Sequence, residues 1–340
     1  MDLDYYGYLL PKKNLALEPA VPRDGSKLFI YDSSTDEIVF DHFYNLDKYL
    51  PKNSFMVMNN TKVLPARVTM KKEFGGKVVI LLLVNEIVGN ILPIIVDRKI
   101  TVGEKIFFDD ENFLDIVNQN ENIFEVKFSF TKQKLFSLLE KYGTMPIPPY
   151  LKKSPLTRDE LLKKYQTIFA KTDGSAAAPT ASLHFTNKAF DKLEKKGIEK
   201  YFVTLHVGLG TFAPITDKNI KQKKLHEEYF EVGRETLRCI DTSKQEGKKL
   251  VAVGTTVVRT LESKARHRVF STDLFIFPPY DFKMVDILIT NFHLPKSSLM
   301  MLVEAFLQFK GAKKNLVELY NMAIKNNFRF YSFGDVMLIL

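Results

Sequence analysis

The turn Gly-Ser-Ala-Ala-Ala-Pro-Thr at Gly174–Thr180 runs straight into Leu183, His184 and Phe185. Small residues let backbone come close to something, Gly174 takes a positive φ at little cost, and Pro179 stiffens the turn. His184 adds a group that exchanges protons near neutral pH. That mixture suits a site better than a connection, and three later segments share it. His206-Val207-Gly208-Leu209-Gly210-Thr211 follows the apolar strand FVTL; its glycines let a strand end approach a ligand, and Thr211 adds a hydroxyl. The third glycine of a dinucleotide-binding turn is missing, which rejects a nicotinamide-cofactor reading. Gly254-Thr255-Thr256 stands between LVAV and VVRTLESKA, and the free N–H groups of such a helix start favour an anion. Arg259 and Glu262, three apart, share a helix face: Arg suits a carboxylate or phosphate and Glu a ribose or amine, although the two also read as a surface salt bridge. DILITNFHLPKSS puts Thr290, Asn291 and His293 at a further strand exit, and His226 precedes Glu227 and Glu228, a setting for general acid or base work.

Four of the six histidines (His184, His206, His226 and His293) thus lie in unusual segments. Zinc competes for them, but no two stand at i, i+4 spacing and no cysteine joins them, so no metal is expected.

The elements that must position these groups fall into two textures. KLFIYDSS and EIVFDHF read as a hairpin. From about Pro65 to Thr131 the segments ARVTMKK, KVVILLLV, NILPIIV, KIFF, FLDIV and IFEVKFSF alternate around Gly and Asn turns, as in a small barrel or sandwich. KQKLFSLLEKYG reads as an amphipathic helix and MPIPPYLKK as a return linker. Beyond Thr157 strands and helices alternate, which argues for an α/β domain. The expectation is an α/β main domain with mostly parallel strands, residues 1–64 and 150–340, interrupted by a smaller inserted all-β, barrel-like domain at 65–149. The unusual loops fall at strand exits of the α/β part, where such folds place ligands.

With 45% hydrophobic and 26% charged residues, the 340-residue chain has a globular composition. Its net charge of +9 suggests a polyanionic partner, since phosphate contacts dominate nucleic-acid affinity, although lysines spread over the chain give the same balance. Cys239 is the one cysteine, no secretory signal is visible, and the longest apolar run, Val78–Val96, is broken by Asn85, Glu86, Gly89, Asn90 and Pro93. A cytoplasmic protein without a membrane span is expected.

In order along the chain, NNTKVLPARV, YQTIFAKTDGSAAAPTASLHFT, VTLHVGLGTFAPI, LHEEYFEV, VAVGTTVVRTLES, DILITNFHLPKSSLMMLVEAF and FRFYSFGDVMLI resemble the S-adenosylmethionine:tRNA ribosyltransferase-isomerase family of queuosine biosynthesis. The resemblance covers nearly the whole chain. It implies transfer of the ribosyl part of S-adenosylmethionine to 7-aminomethyl-7-deazaguanine at the tRNA wobble position. Isomerisation then gives epoxyqueuosine, with adenine and methionine released. It further implies catalysis by His184, His206, His226 and His293. S-adenosylmethionine would be bound by Gly208, Gly210, Thr211, Gly254, Thr255, Thr256, Arg259 and Glu262, and substrate by Ser175, Thr180 and Asn291. The partner would be the anticodon stem-loop of a tRNA with a GUN anticodon, the protein a monomer, and S-adenosylmethionine a substrate with no further cofactor. The chain departs from the family pattern at Val79, Ser182, Lys223, Pro279 and Ile287. A methyltransferase using the same donor, or a tRNA-binding paralogue that has lost catalysis, are the competing readings.

Overall fold

A computed structural model describes residues 2–208, 215–263 and 269–340. Near the N-terminus β1 (Lys27–Asp32) and β2 (Glu37–His42) pair antiparallel, as their alternation predicts. The Asp32 carboxylate accepts from the Ser34 N–H and hydroxyl to close the turn. β3 (Ser54–Asn59) is buried along its whole length, and β4 (Thr61–Val63) follows the Asn60 corner.

The next six strands make a closed antiparallel barrel: β5 (Arg67–Lys72), β6 (Lys77–Leu82), β7 (Ile91–Val96), β8 (Lys105–Phe107), β9 (Phe113–Asn120) and β10 (Ile123–Lys127). Their order is β5-β6-β7-β10-β9-β8, and β8 pairs back onto β5 through Lys71–Phe107 and Lys72–Ile106. Closure removes the unpaired edges that a sheet of this size would expose. Every second side chain, Val68, Met70, Val78, Ile80, Leu92 and Ile94 among them, fills the interior. The helix Lys132–Tyr142, capped by the Thr131 side chain, lays Leu135, Leu138 and Leu139 on the same core.

β11 (Gly143–Thr144) pairs with β5, so the chain leaves the barrel beside the point where it enters. The backbones come so close here that a Cβ on Gly143 would stand 1.8 Å from the Pro65 carbonyl oxygen.

The remaining strands are β12 (Thr172–Ser175), parallel to β4, then β13 (Glu199–Leu205), β14 (Lys224–Glu231), β15 (Lys249–Val253), β16 (Val269–Leu274), β17 (Ile287–Asn291) and β18 (Val336–Ile339). Nine strands form one large sheet in the order β16-β14-β13-β3-β15-β17-β18-β1-β2. Both faces are covered: Phe29, Val57, Leu205 and Leu250 enter one core, and Leu28, Met56, Val251 and Ile289 the other. The barrel agrees with the all-β expectation, but the main sheet is mixed rather than mostly parallel. β13–β3, β3–β15, β15–β17 and β18–β1 are parallel, whereas β16–β14, β14–β13, β17–β18 and β1–β2 are antiparallel. The reason is that strand direction is set by distant pairing partners, which local alternation does not encode.

Replacing Gly143 by Ala should destabilise the protein by about 3 kcal/mol or more, because neither facing backbone can retreat without opening β11–β5. Denaturant unfolding checks this; a change below about 1 kcal/mol would show the junction to be compliant.

Candidate active site

A cavity of about 720 Å³, its mouth included, opens where the four unusual loops converge, Val207 coming from the exit of β13. The small-residue turn supplies Ala177–Ala181, the exit of β15 supplies Gly254, Thr255 and Thr256, and the exit of β17 supplies Thr290, Asn291 and His293.

The turn is held in place by one hydroxyl. Ser175 Oγ donates to the Ala177 carbonyl at 2.7 Å and accepts from the Val207 N–H at 3.0 Å, tying the turn to the exit of β13. Gly174 has φ +145°, and a Cβ there would meet the His206 ring at 2.9 Å, so glycine is required twice over. Thr180 Oγ1 donates to Asn291 Oδ1 at 2.8 Å, and Asn291 Nδ2 approaches His184 Nε2 at 3.3 Å. His184 Nδ1 in turn meets Ser26 Oγ at 2.8 Å. The chain Thr180–Asn291–His184–Ser26 therefore runs from the cavity wall into the core.

The histidines divide by position. His293 lines the cavity, with Nε2 bonded to Thr290 Oγ1 at 2.8 Å. Its backbone is clamped by the Tyr8 hydroxyl on its carbonyl and by Tyr320 Oη accepting from its N–H at 3.0 Å. His184 is 5% exposed and packs on Phe43 behind the cavity. His206 lies against Gly174, bonded to Thr61 Oγ1 at 2.8 Å. His226 is exposed on β14 and lines a second, smaller cavity with Glu228 and Arg259. Burial pushes His184 and His293 down to about 3, and for His184 the nearby Arg329 and Arg23 charges act in the same direction. Burial, then the Lys132 charge, lowers His206, with Asp173 opposing. These three imidazoles are held neutral at physiological pH.

Two expected ligand contacts are engaged elsewhere. Arg259 forms a buried ion pair with Glu228 and donates to the Leu274 and Thr272 carbonyls at 3.1 and 3.3 Å. Glu262 accepts from the N–H groups of Lys283, Met284 and Val285, holding that loop, and does not reach the cavity. Gly208 donates its N–H to Glu228 Oε1 at 3.0 Å, while Gly210 and Thr211 lie outside the described residues. Thr256 Oγ1 is buried, with no partner among the described residues, on a residue that lines the cavity. The sequence reading missed Tyr150, Tyr331 and Ser332, which also line the cavity. Tyr150 sits in the segment taken for a linker; only its aromatic character in a Pro-rich stretch signalled otherwise.

None of the five departures from the family pattern lines either cavity. Ser182 is fully buried with its hydroxyl unpartnered among the described residues, Ile287 packs in the sheet core, and Lys223 takes a left-handed φ of 53° at a helix end. Among the described residues no three His, Cys, Asp or Glu side chains gather as a metal site, and no helix is long and apolar enough to cross a membrane.

A family model described as queuosine biosynthesis protein matches residues 3–339. The chain is 43% identical to the S-adenosylmethionine:tRNA ribosyltransferase-isomerase of Thermosipho melanesiensis and 41% identical to that of Sulfurihydrogenibium sp., each over the full length of both chains. The crystal structure of S-adenosylmethionine tRNA ribosyltransferase from Thermotoga maritima is similar with a TM-score of 0.55 at 33% identity, covering 98% of this chain and 99% of that one.

The His184 environment sets a pH dependence. Its folded value lies below the unfolded one, so the unfolded chain binds the proton more tightly and stability falls as pH drops through the range from about 6.5 toward 3. Between pH 7 and 5 this one group should cost about 2 kcal/mol. Urea titrations of wild type and His184→Asn should converge as the pH is lowered; a pH-independent difference would show His184 to be ordinary.

Proposed function

This chain belongs to the queuosine biosynthesis protein family, and we propose that it acts as an S-adenosylmethionine:tRNA ribosyltransferase-isomerase. The ribosyl group of S-adenosylmethionine goes to 7-aminomethyl-7-deazaguanine at the tRNA wobble position and isomerises, giving epoxyqueuosine-tRNA, adenine and methionine. The observation that carries the reading at the level of the site is the convergence of the Ala177–Ala181 turn, Gly254–Thr256 and Thr290–His293 on one cavity.

The start of helix Thr255–Glu262 suits the methionine carboxylate, through its free N–H groups and the unpartnered Thr256 hydroxyl. Arg259 does not join it, being committed to Glu228; its role is to fix the helix. His293 is the histidine with direct access to the cavity, and a neutral imidazole there takes the proton that leaves the carbon beside the sulfonium. His184 acts through Asn291 and Thr180 as a positioning residue. His206, with Ser175, keeps the small-residue turn against β13. His226 belongs to the neighbouring cavity with Glu228.

Residues 65–149 form, on this reading, an inserted unit, and 1–64 with 150–340 the catalytic one. The inserted segment carries eleven basic and eleven acidic residues, so the net charge of +9 resides in the catalytic part. That part supplies the attraction for the tRNA phosphates. The substrate is then the anticodon arm of a tRNA with a GUN anticodon, whose splayed wobble base enters the cavity, and the protein works as a cytoplasmic monomer without a further cofactor.

Labelled S-adenosylmethionine and tRNA carrying the deazaguanine base test the reading: adenine and methionine are the expected products. S-adenosylhomocysteine would establish a methyltransferase, and unconsumed donor a binding protein. His293→Ala should lower adenine release at least about 100-fold with tRNA affinity unchanged. Thr256→Val should weaken S-adenosylmethionine binding about tenfold in calorimetry; an unchanged affinity would remove the helix start from the site.

A further inference from the structure

Two tyrosines of the cavity have no part in the chemistry above. Tyr150 stands on the turn Pro149–Lys153 that follows the barrel, and Tyr331 on the segment between helix Leu316–Lys325 and β18. Their ring centroids are 4.7 Å apart with 46° between the planes, so they form an aromatic corner. Tyr150 Oη pairs with Ser332 Oγ at 2.7 Å, and the Tyr331 hydroxyl lies near that of Tyr8, which donates to the His293 carbonyl. The corner offers the cavity ring surface.

The backbone shows that this placement is imposed. Tyr331 has φ +74°, in the left-handed region that a bulky side chain rarely adopts. It is held there by its N–H on the Phe292 carbonyl at 3.1 Å and by Gly334 N–H on its own carbonyl at 3.0 Å. The clamp has no slack, since a Cβ on Gly334 would stand 2.5 Å from the Arg329 carbonyl oxygen. A bend that only had to reverse the chain would carry Gly or Asn at this position. A tyrosine kept there against its backbone preference points to a use for the ring.

We propose that Tyr331 and Tyr150 form the platform on which the adenine of S-adenosylmethionine stacks, the step from which adenine later leaves. This rests on the reading of the donor given above. The cavity holds two kinds of wall. The helix start with Thr255 and Thr256 is polar and suits the charged methionine end, which leaves the aromatic corner for the one flat, apolar-faced part of the same molecule. The assignment moves the adenine away from Gly208, whose N–H is bonded to Glu228.

The test uses the full chain with S-adenosylmethionine and with free adenine as separate calorimetric probes, and tRNA binding in parallel. Tyr331→Phe keeps the ring and should bind both small molecules within about twofold of wild type. Tyr331→Leu and Tyr331→Gly should each lose about ten- to hundredfold for both, with tRNA affinity unchanged. The Gly variant relieves the left-handed backbone, so its melting temperature should not fall below that of the Leu variant, and it keeps the test valid if the Leu variant folds poorly. Unchanged affinity for S-adenosylmethionine and adenine in both variants overturns the platform. So does a loss confined to tRNA, which would assign the corner to an RNA base. Wild-type protein that binds adenine at this corner yet releases none from its donor in the presence of tRNA would contradict the reaction and leave the platform standing.

Discussion

Arg259 and Glu228 are 8% and 2% exposed at their side chains, and their charges meet inside the protein. Two ions taken out of water demand both each other and further hydrogen bonds, and removing either partner typically costs about 3–5 kcal/mol. Both demands are met here by backbone. Arg259 donates to the carbonyls of Thr272 and Leu274 on β16, and Glu228 on β14 accepts the Gly208 N–H at the exit of β13. One ion pair thus fixes a helix, two antiparallel strands and a strand exit relative to one another. Val207, next to Gly208, lines the cavity and holds Ser175, which holds the small-residue turn. The positions of the cavity walls follow from this pair outward. That is how an arginine beside a helix start, a natural anion ligand by its type, comes to sit in a buried ion pair.

The second constraint is desolvation. His184, His206 and His293 are neutral because burial disfavours the imidazolium, and the hydroxyls of Ser26, Thr61 and Thr290 stabilise the neutral rings in place of water. The same burial that keeps them unprotonated lowers their basicity. The clamp on His293 by Tyr8 and Tyr320 limits its motion.

Much of this was legible in the sequence because it is local. Period-two alternation marked the barrel, and glycine and small residues marked the Gly174 turn. The convergence of four strand-exit loops also followed from their shared character. What escaped is non-local. LHEEYFEV drew attention as a His-carboxylate motif, and its alternation as the antiparallel strand β14 went unused. Arg259 pairs with a residue 31 positions away rather than with Glu262 on its own face. Tyr331 lay inside FRFYSFGD, a stretch whose aromatic density reads as core; its positive φ depends on the clamp by Phe292, on another strand exit.

On the proposed function, one cavity, walled by Gly254–Thr256, Thr290–His293 and the small-residue turn, holds S-adenosylmethionine. A crystal structure of the protein with S-adenosylmethionine bound and tRNA absent measures this most directly. The account predicts the carboxylate at the Thr255–Thr256 helix start, the sulfonium within reach of His293 and the adenine against Tyr331. Density for the donor in the smaller cavity beside His226 and Arg259, or along Gly208, would contradict it.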